Sequence, residues 1–155
     1  MTRLEKLYEE YERDYELFQA GCDTVEEKGL WNKEADGEME VYFENDLISI
    51  VLRLIAVDGE ITDKEAEYFN RCFWYNCSTE ELKEIYANCK ENVGRTFDEQ
   101  FLQGVQHLST IDNDLAEAYR RIIVLVCDII VESDGVVNEK EMGEIKHLRE
   151  LCAVN

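Results

Sequence analysis

Two short segments of this chain have the same pattern. Residues Asp58 to Glu65 read DGEITDKE, and residues Asp134 to Glu141 read DGVVNEKE. Each follows a strongly apolar stretch and precedes a stretch in which apolar residues recur at helical spacing. The chain therefore contains an internal repeat of an apolar helix, an Asp-Gly turn and a second helix. This repeat predicts two helical hairpins packed with pseudo-two-fold symmetry.

The composition also favours helices. The 155 residues include no proline, 45% are apolar and 34% are charged. A chain without proline that is rich in Glu, Leu, Lys and Ala is typical of helices joined by short turns. A chain of this length is most simply one domain and can bury roughly 70% of its unfolded surface. We therefore predict an all-α fold of about seven helices in one domain, with two pseudo-symmetric helical halves.

Helical periodicity indicates where the main elements lie. Residues 3 to 20 carry an aromatic stripe and form a first amphipathic helix, whereas residues 21 to 40 show no clean period. We predict an acidic loop there, anchored by Trp31. Residues 41 to 57 form an apolar helix, and residues 113 to 132 form the most apolar helix, which we expect to be central. The single domain, 1–155, thus divides into an N-terminal helix and acidic loop (1–40) and the repeated hairpins (41–155).

Capping signals mark the remaining helices. STEE, from Ser78 to Glu81, and TFDE, from Thr96 to Glu99, are capping boxes. A further helix is expected to begin near Thr62. The last helix is expected to begin near Asn138. The side chains expected on buried faces are Ala66, Phe69, Phe73, Leu82, Ile85, Tyr86, Cys89, Met142, Ile145, Leu148 and Cys152. A stripe of Glu117, Arg121, Asp128 and Glu132 is expected to form the wet edge of the central helix.

The net charge of −20 limits the classes of partner. Such a chain repels nucleic acid and anionic lipid, so we expect neither as a ligand. It attracts cations or a basic protein. No signal-peptide pattern opens the chain and no apolar run is long enough to span a bilayer. We therefore expect a cytoplasmic protein without a transmembrane segment.

The repeated octapeptide has a structural interpretation. Gly59 and Gly135 can adopt the left-handed conformation that ends a helix. Thr62 is a good N-cap, and Glu65, three residues later, can reach back to its amide. Asn138 and Glu141 repeat the arrangement. Every shared position thus has a role in joining two helices, and the sequence favours this joint.

Metal binding is the second interpretation. An EF-hand is excluded because its first two ligand positions would be Leu54 and Ala56, which cannot ligate calcium. Pseudo-symmetry could still bring both copies together as one acidic site. Oxygen ligands alone suit Ca²⁺, Mg²⁺ or Mn²⁺, and the C-terminal end of each apolar helix favours a cation.

The two segments AVDGEITDKE and ESDGVVNEKE, each after an apolar helix in an acidic helical chain, resemble the tellurite-resistance protein B (TerB-like) family. The resemblance covers about residues 41 to 153. It implies a cytoplasmic, stress-associated or scaffold role and a protein partner that is basic or associated with a membrane complex. It also implies a divalent-metal or acidic interaction site, which by position comprises Asp58, Glu60, Glu65, Asp134 and Glu141. Val136 replaces Glu60 in the second copy, so a symmetric metal cage is disfavoured.

Two functions from different classes follow. The first is a non-enzymatic binding or scaffold domain of the TerB-like type. The alternative is an acidic inhibitor, comparable to immunity proteins, that covers a basic protein such as a nuclease toxin. An enzyme finds little support, because the sequence carries no Gly-rich phosphate loop, no nucleophile motif and no H-E-x-x-H.

We predict that all six cysteines are thiols, because their spacing shows no disulfide framework and no C-x-x-C. Thiol titration of freshly purified, unfolded protein should find every cysteine reactive. A bridge that persists in cells would contradict the prediction.

Overall fold

The computed structural model describes the backbone of residues 2–56, 61–94, 97–134 and 139–153. Side chains are described for residues 2–56, 61–88, 104–132, 139–140 and 142–150. Every regular element in these ranges is an α-helix, as predicted: seven long helices and one of a single turn. They are α1 Arg3–Glu27, α2 Lys33–Asp36, α3 Met39–Ile55, α4 Asp63–Phe73, α5 Thr79–Gly94, α6 Phe97–Ile111, α7 Asn113–Asp134 and α8 Glu139–Ala153.

Helix α7 lies at the centre of the fold, as its apolar sequence predicts. Helices α1, α4, α6 and α8 all pack against it. Its buried side chains follow one another on nearly every turn, and they are Leu115, Ala116, Tyr119, Ile122, Ile123, Leu125, Val126, Cys127, Ile129 and Ile130. A helix that is apolar on most of its faces needs neighbours on most sides, which is the arrangement observed.

Helix α1 is longer than the sequence analysis predicts, and the acidic loop is correspondingly shorter. The prediction that the helix ends near residue 20 was wrong because Cys22 and Val25 continue the buried stripe of Tyr15 and Phe18. Gly21 does not break the helix. A Cβ added there would lie 2.5 Å from Cδ1 of Leu115, so the glycine allows α1 to approach α7 closely.

The remainder of the predicted loop is anchored by Trp31, as expected. The Trp31 indole is 6% exposed, and its Nε1 donates a hydrogen bond to the carbonyl of Gly37 at 2.9 Å. The single turn of α2 lies between these two residues, capped at its start by Asn32, whose side chain accepts the N–H of Ala35. The loop therefore closes on its own aromatic side chain.

The two hairpins exchange contacts. Helix α4 of the first hairpin packs on α7, and α8 of the second packs on α3. Tyr68 on α4 donates its hydroxyl hydrogen to the carbonyl of Val126 at 2.9 Å. Arg53 on α3 forms an ion pair with Glu144 on α8, at 2.8 Å. Each second helix thus rests on the first helix of the other hairpin, as expected of a duplicated unit.

Two predicted capping boxes are confirmed. Glu65 closes the box that Thr62 opens at α4, and Glu81 closes the box of Ser78 at α5. The boxes predicted at Thr96 and Asn138 lie outside the described residues.

Two side chains expected on buried faces are exposed. Ile85 is 40% exposed on α5 and Met142 is 46% exposed in the first turn of α8. Helical spacing places both on apolar stripes, but the fold leaves both side chains partly open to solvent. Leu82, Ile145 and Leu148 are buried, as predicted. Cys89 and Cys152 lie outside the described side chains.

The cysteines with described side chains are thiols that form no disulfide with one another: Cys22, Cys72 and Cys127 are buried and Cys77 is half-buried. Burial raises the pKa of Cys22 to about 12, so its thiol is a poor nucleophile. Within the described parts of the chain, no helix has the length and apolarity needed to cross a membrane.

One polar contact ties α3 to α7 at the edge of the core, where Asp46 is half-buried. The hydroxyl of Tyr119 donates to Oδ2 of Asp46 at 2.6 Å. Burial raises the pKa of Asp46 to about 6, although the hydrogen bond from Tyr119 acts in the opposite direction. The folded state therefore holds a proton on Asp46 more firmly than the unfolded chain, whose aspartates titrate near pH 3.9.

We predict that Asp46→Asn stabilises the fold above pH 6 and not at pH 3. Ionising Asp46 costs folding free energy as the pH rises from about 4 to about 6, and the cost persists above that window. Asparagine can still accept from Tyr119 and carries no charge, so the free energy of unfolding at pH 8 should rise by roughly 1–3 kcal/mol. Denaturant unfolding across this pH range measures the difference in unfolding free energy between the variant and the wild type. Glu9→Gln, at an exposed position of α1, is the matched control. A gain for Asp46→Asn that does not vary with pH would contradict the prediction.

Candidate functional site

The predicted acidic site is visible at one of its five carboxylates. Oε1 of Glu65 accepts the backbone N–H of Thr62 at 2.9 Å, and the N–H of Glu65 donates to Oγ1 of Thr62 at 3.2 Å. Glu65 is 3% exposed. Its carboxylate is therefore held at the start of α4 as a helix cap.

The other four predicted residues cannot be compared in the same way. Asp58 and Glu60 lie outside the described residues. For Asp134, the last residue of α7, and Glu141, in the first turn of α8, only the backbone is described. The described side chains include no group of three or more His, Cys, Asp or Glu residues placed to hold a metal ion. A shared metal site at the repeated turns thus stays a prediction.

Carboxylates also gather where α1 meets the start of α3. Burial, followed by a hydrogen bond with Asp23, raises the pKa of Glu40 to about 7. Glu26 lies in the same group and forms an ion pair with Lys33 at 3.0 Å. Burial, with the neighbouring carboxylates as a smaller cause, therefore allows Glu40 to hold a proton near neutral pH.

A groove of about 630 Å³ opens on another side of α3. It lies between the segment that follows α2, the N-terminal half of α3, and α6. Its described lining residues are Trp31, Asp36, Gly37, Glu38, Val41, Tyr42, Asn45, Asp46, Ser49, Gly104 and His107. The volume falls within the range of sites that bind small molecules or single side chains.

One wall of the groove is aromatic. The ring of Trp31 lies 5.3 Å from the ring of Tyr42 and 5.8 Å from the ring of His107. The hydrogen bond from Trp31 to Gly37 fixes the indole in this position. Gly104 faces Tyr42: a Cβ added there would lie 3.7 Å from the Tyr42 hydroxyl, in ordinary contact. The absence of a side chain on Gly104 therefore keeps this part of the groove open.

Most of the remaining lining residues are polar, and three of them are acidic. Asp46, held by Tyr119, contributes a carboxylate from α3, and Asp36 and Glu38 contribute two more from the preceding segment. Asn45 and Ser49 provide an amide and a hydroxyl. Among the described lining residues there is no Lys or Arg. The groove thus offers oxygen acceptors and aromatic faces to whatever enters it.

A second surface feature is the end of α4. Trp74 adopts a left-handed backbone conformation, with φ 57° and ψ 36°, and its side chain is 61% exposed. The Asn70 side chain shapes the following loop by bonding both the N–H and the carbonyl of Cys77, each at 2.9 Å. This loop presents Trp74 and Tyr75, which is 46% exposed, side by side on the surface.

The exposed aromatic residues of this loop contact the N-terminal half of the fold. The Trp74 ring meets Tyr15 of α1 edge-on, with ring centroids 5.8 Å apart. The hydroxyl of Tyr75 donates to Oε1 of Glu44 at 3.4 Å. We call the surface formed by Glu44, Trp74 and Tyr75, with Tyr15 buried beneath Trp74, the Trp74 face. The sequence carries a signal for this surface, namely consecutive aromatic residues at a helix end that lacks the usual glycine. We made no prediction from this signal.

The family comparison agrees with this architecture. The family model described as "Tellurite resistance protein TerB" matches residues 44–155, more than half of the chain. The chain matches no curated protein and no solved structure. The matched segment begins within α3 and includes both copies of the repeated turn, while α1 and α2 precede it. The resemblance inferred from the two octapeptides is therefore confirmed, and the chain belongs to the TerB family.

Proposed function

We propose that this TerB-family chain is a non-enzymatic binding domain that docks a basic segment of a protein partner on the Trp74 face. The observation that carries the proposal is Trp74 itself, an exposed bulky side chain at a backbone position that glycine usually occupies. Its contact with Tyr15 within the chain does not account for its presence.

The left-handed conformation of Trp74 is unfavourable. It costs a residue with a Cβ roughly 1–2 kcal/mol, and bulky residues rarely adopt it. Burial could offset this cost, yet most of the indole faces solvent. Exposed residues in strained conformations are concentrated at binding and switch sites. A contact with another molecule accounts for both the exposure and the strain.

The charge around the Trp74 face favours a basic partner. Glu44 and Glu40 both raise the pKa of Tyr15, beside Trp74, after burial as the main cause. The chain as a whole carries a net charge of −20. Arginine and lysine stack on indole and phenol rings and pair with carboxylates, so a basic segment can use both features of the surface. Long-range attraction would also speed its association.

For the repeated turns, we propose that helix joining comes first and metal binding is weak. Glu65 supports this because its carboxylate already accepts the Thr62 amide and is almost fully buried. A cation would have to draw it away from α4. The other candidate ligands for Ca²⁺, Mg²⁺ or Mn²⁺ are Asp58, Glu60, Asp134 and Glu141. We propose that they attract a cation through the negative charge of their carboxylates alone.

The first prediction of this proposal concerns Trp74→Gly. Glycine relieves the backbone strain but loses the edge contact with Tyr15, and the two effects nearly cancel, so the free energy of unfolding should change by less than about 1 kcal/mol. Binding of a short arginine-rich peptide, measured by calorimetry, should weaken about tenfold or more because an aromatic anchor is lost. Met142→Ala, which truncates an equally apolar exposed side chain on α8, is the matched control. Unchanged peptide affinity in Trp74→Gly would overturn the proposal.

The second prediction separates the helix joint from a metal site. Gln can cap a helix as Glu does but is a poorer ligand for a hard cation. The double variant Glu65→Gln, Glu141→Gln should therefore lose little stability in chelator, whereas Ala at both positions should cost roughly 0.5–2 kcal/mol per cap.

Denaturant unfolding with and without Ca²⁺ or Mg²⁺ completes this test. A strong site would stabilise the wild type by roughly 2.7 kcal/mol at about 100 times the dissociation constant, and the Gln pair would lose that gain. We expect no such gain. A metal-dependent gain in stability in the wild type that is absent from the Gln pair would mean that metal binding, and not helix capping, is the main role of these glutamates.

A further inference from the structure

We propose that the groove lined by Trp31, Tyr42 and Asp46 is a binding site for an organic cation, a guanidinium or alkylammonium group. The site is distinct from the Trp74 face and from the repeated turns. The chemical character of its lining residues indicates the ligand, independently of the partner proposed for the Trp74 face.

The shape of the groove suits one extended polar group. Its volume of about 630 Å³ exceeds what a metal ion needs and is large enough to admit an arginine side chain or a small amine. Two hydrogen bonds hold the floor of the groove: the Tyr119 hydroxyl donates to Asp46, and the Trp31 indole N–H donates to the carbonyl of Gly37. These contacts fix a carboxylate and an indole before any ligand arrives. A preorganised site of this kind loses little conformational entropy on binding.

The lining selects for positive charge. Asp36, Glu38 and Asp46 present carboxylates, and no described lining residue is a Lys or Arg that could neutralise them. An anion would therefore be repelled. A neutral ligand would leave the half-buried Asp46 without a counter-charge, whereas a guanidinium can donate two parallel hydrogen bonds to one carboxylate.

The aromatic wall distinguishes an organic cation from a metal ion. Tyr42, which is 38% exposed, supplies a π face that attracts cationic groups, and the buried Trp31 ring packs against it. Neither ring supplies the carboxylate or carbonyl oxygen that Ca²⁺ or Mg²⁺ prefers. The Tyr42 hydroxyl is neutral at physiological pH, since burial, followed by the charges of Asp46 and Asp36, raises its pKa further. Aromatic faces beside carboxylates are the usual surroundings of bound ammonium and guanidinium groups.

Two indole N–H signals make the test direct, because the chain has two tryptophans. Trp74→Gly removes one signal and assigns the other to Trp31. We expect arginine amide to shift the Trp31 signal at physiological ionic strength, with a dissociation constant on the order of 1 mM, given the few atoms in contact. Nα-acetylcitrulline amide, compared with Nα-acetylarginine amide, has nearly the same shape without the charge and should bind at least tenfold more weakly. Equal shifts with both compounds would overturn the proposal.

Variants locate the site. Asp46→Asn should weaken the binding of arginine amide at least tenfold. Glu9→Gln, which makes the same change in net charge at an exposed position of α1, should change the affinity less than twofold. Gly104→Leu fills the groove opposite Tyr42 without changing any charge, and it replaces a helix glycine by a good helix former. It should abolish the Trp31 shift while the thermal midpoint stays the same or rises. Retained binding in Gly104→Leu, or equal weakening by Glu9→Gln, would refute the site.

The source of the cation is decided by a further comparison. Agmatine represents a free small amine, and a blocked tripeptide with a central arginine represents the side chain of a polypeptide. Tighter binding of the tripeptide would identify a protein-borne arginine as the ligand, and tighter binding of agmatine a free amine. Either result supports the proposed chemistry, and failure of both to shift Trp31 would overturn it. Because Trp74→Gly retains the groove, this outcome is separable from failure of the Trp74 face.

Discussion

The fold depends on the burial of α7. Its apolar side chains face α1, α4, α6 and α8, and each of those helices is itself amphipathic and needs an apolar neighbour. Burying aliphatic side chains of this size contributes roughly 1.5–3 kcal/mol each, far more than any single polar contact in the protein. The second hairpin therefore provides the platform on which α1 and the first hairpin assemble. Gly21 matters because it allows α1 to approach that platform.

Charge has a different role, since most of it lies at the surface and contributes little to folding. The predicted wet edge of α7 is confirmed, and its acids pair with arginines: Glu117 with Arg120, Asp128 with Arg149, and Glu132 with Arg3. Exposed pairs of this kind stabilise a fold by less than about 1 kcal/mol each. The acidic residues in excess of the basic ones repel one another, and this repulsion disfavours the compact state. The same excess of negative charge would attract the basic segments and organic cations that we propose as ligands.

Three acidic features now have different physical assignments. At the repeated turn, the carboxylate of Glu65 accepts a backbone N–H and is buried, so its charge is used locally at the helix start. Asp46 is half-buried, held by Tyr119, and faces a groove with aromatic walls. Glu44 is at the surface beside Trp74 and Tyr75. Only the latter two are placed to meet another molecule, which is why we assign binding to them.

The sequence by itself determined the helical class, the central position of α7, the Thr62 and Ser78 caps and the family, because periodicity and capping are local signals. It failed at the end of α1, where residues 21 to 40 show no clean period, and at Ile85 and Met142, whose exposure is decided by tertiary packing. The groove and the Trp74 face were decided only by tertiary structure. Trp31, Asp46 and Gly104 are distant in the chain, and packing of α3 between its neighbours brings them together.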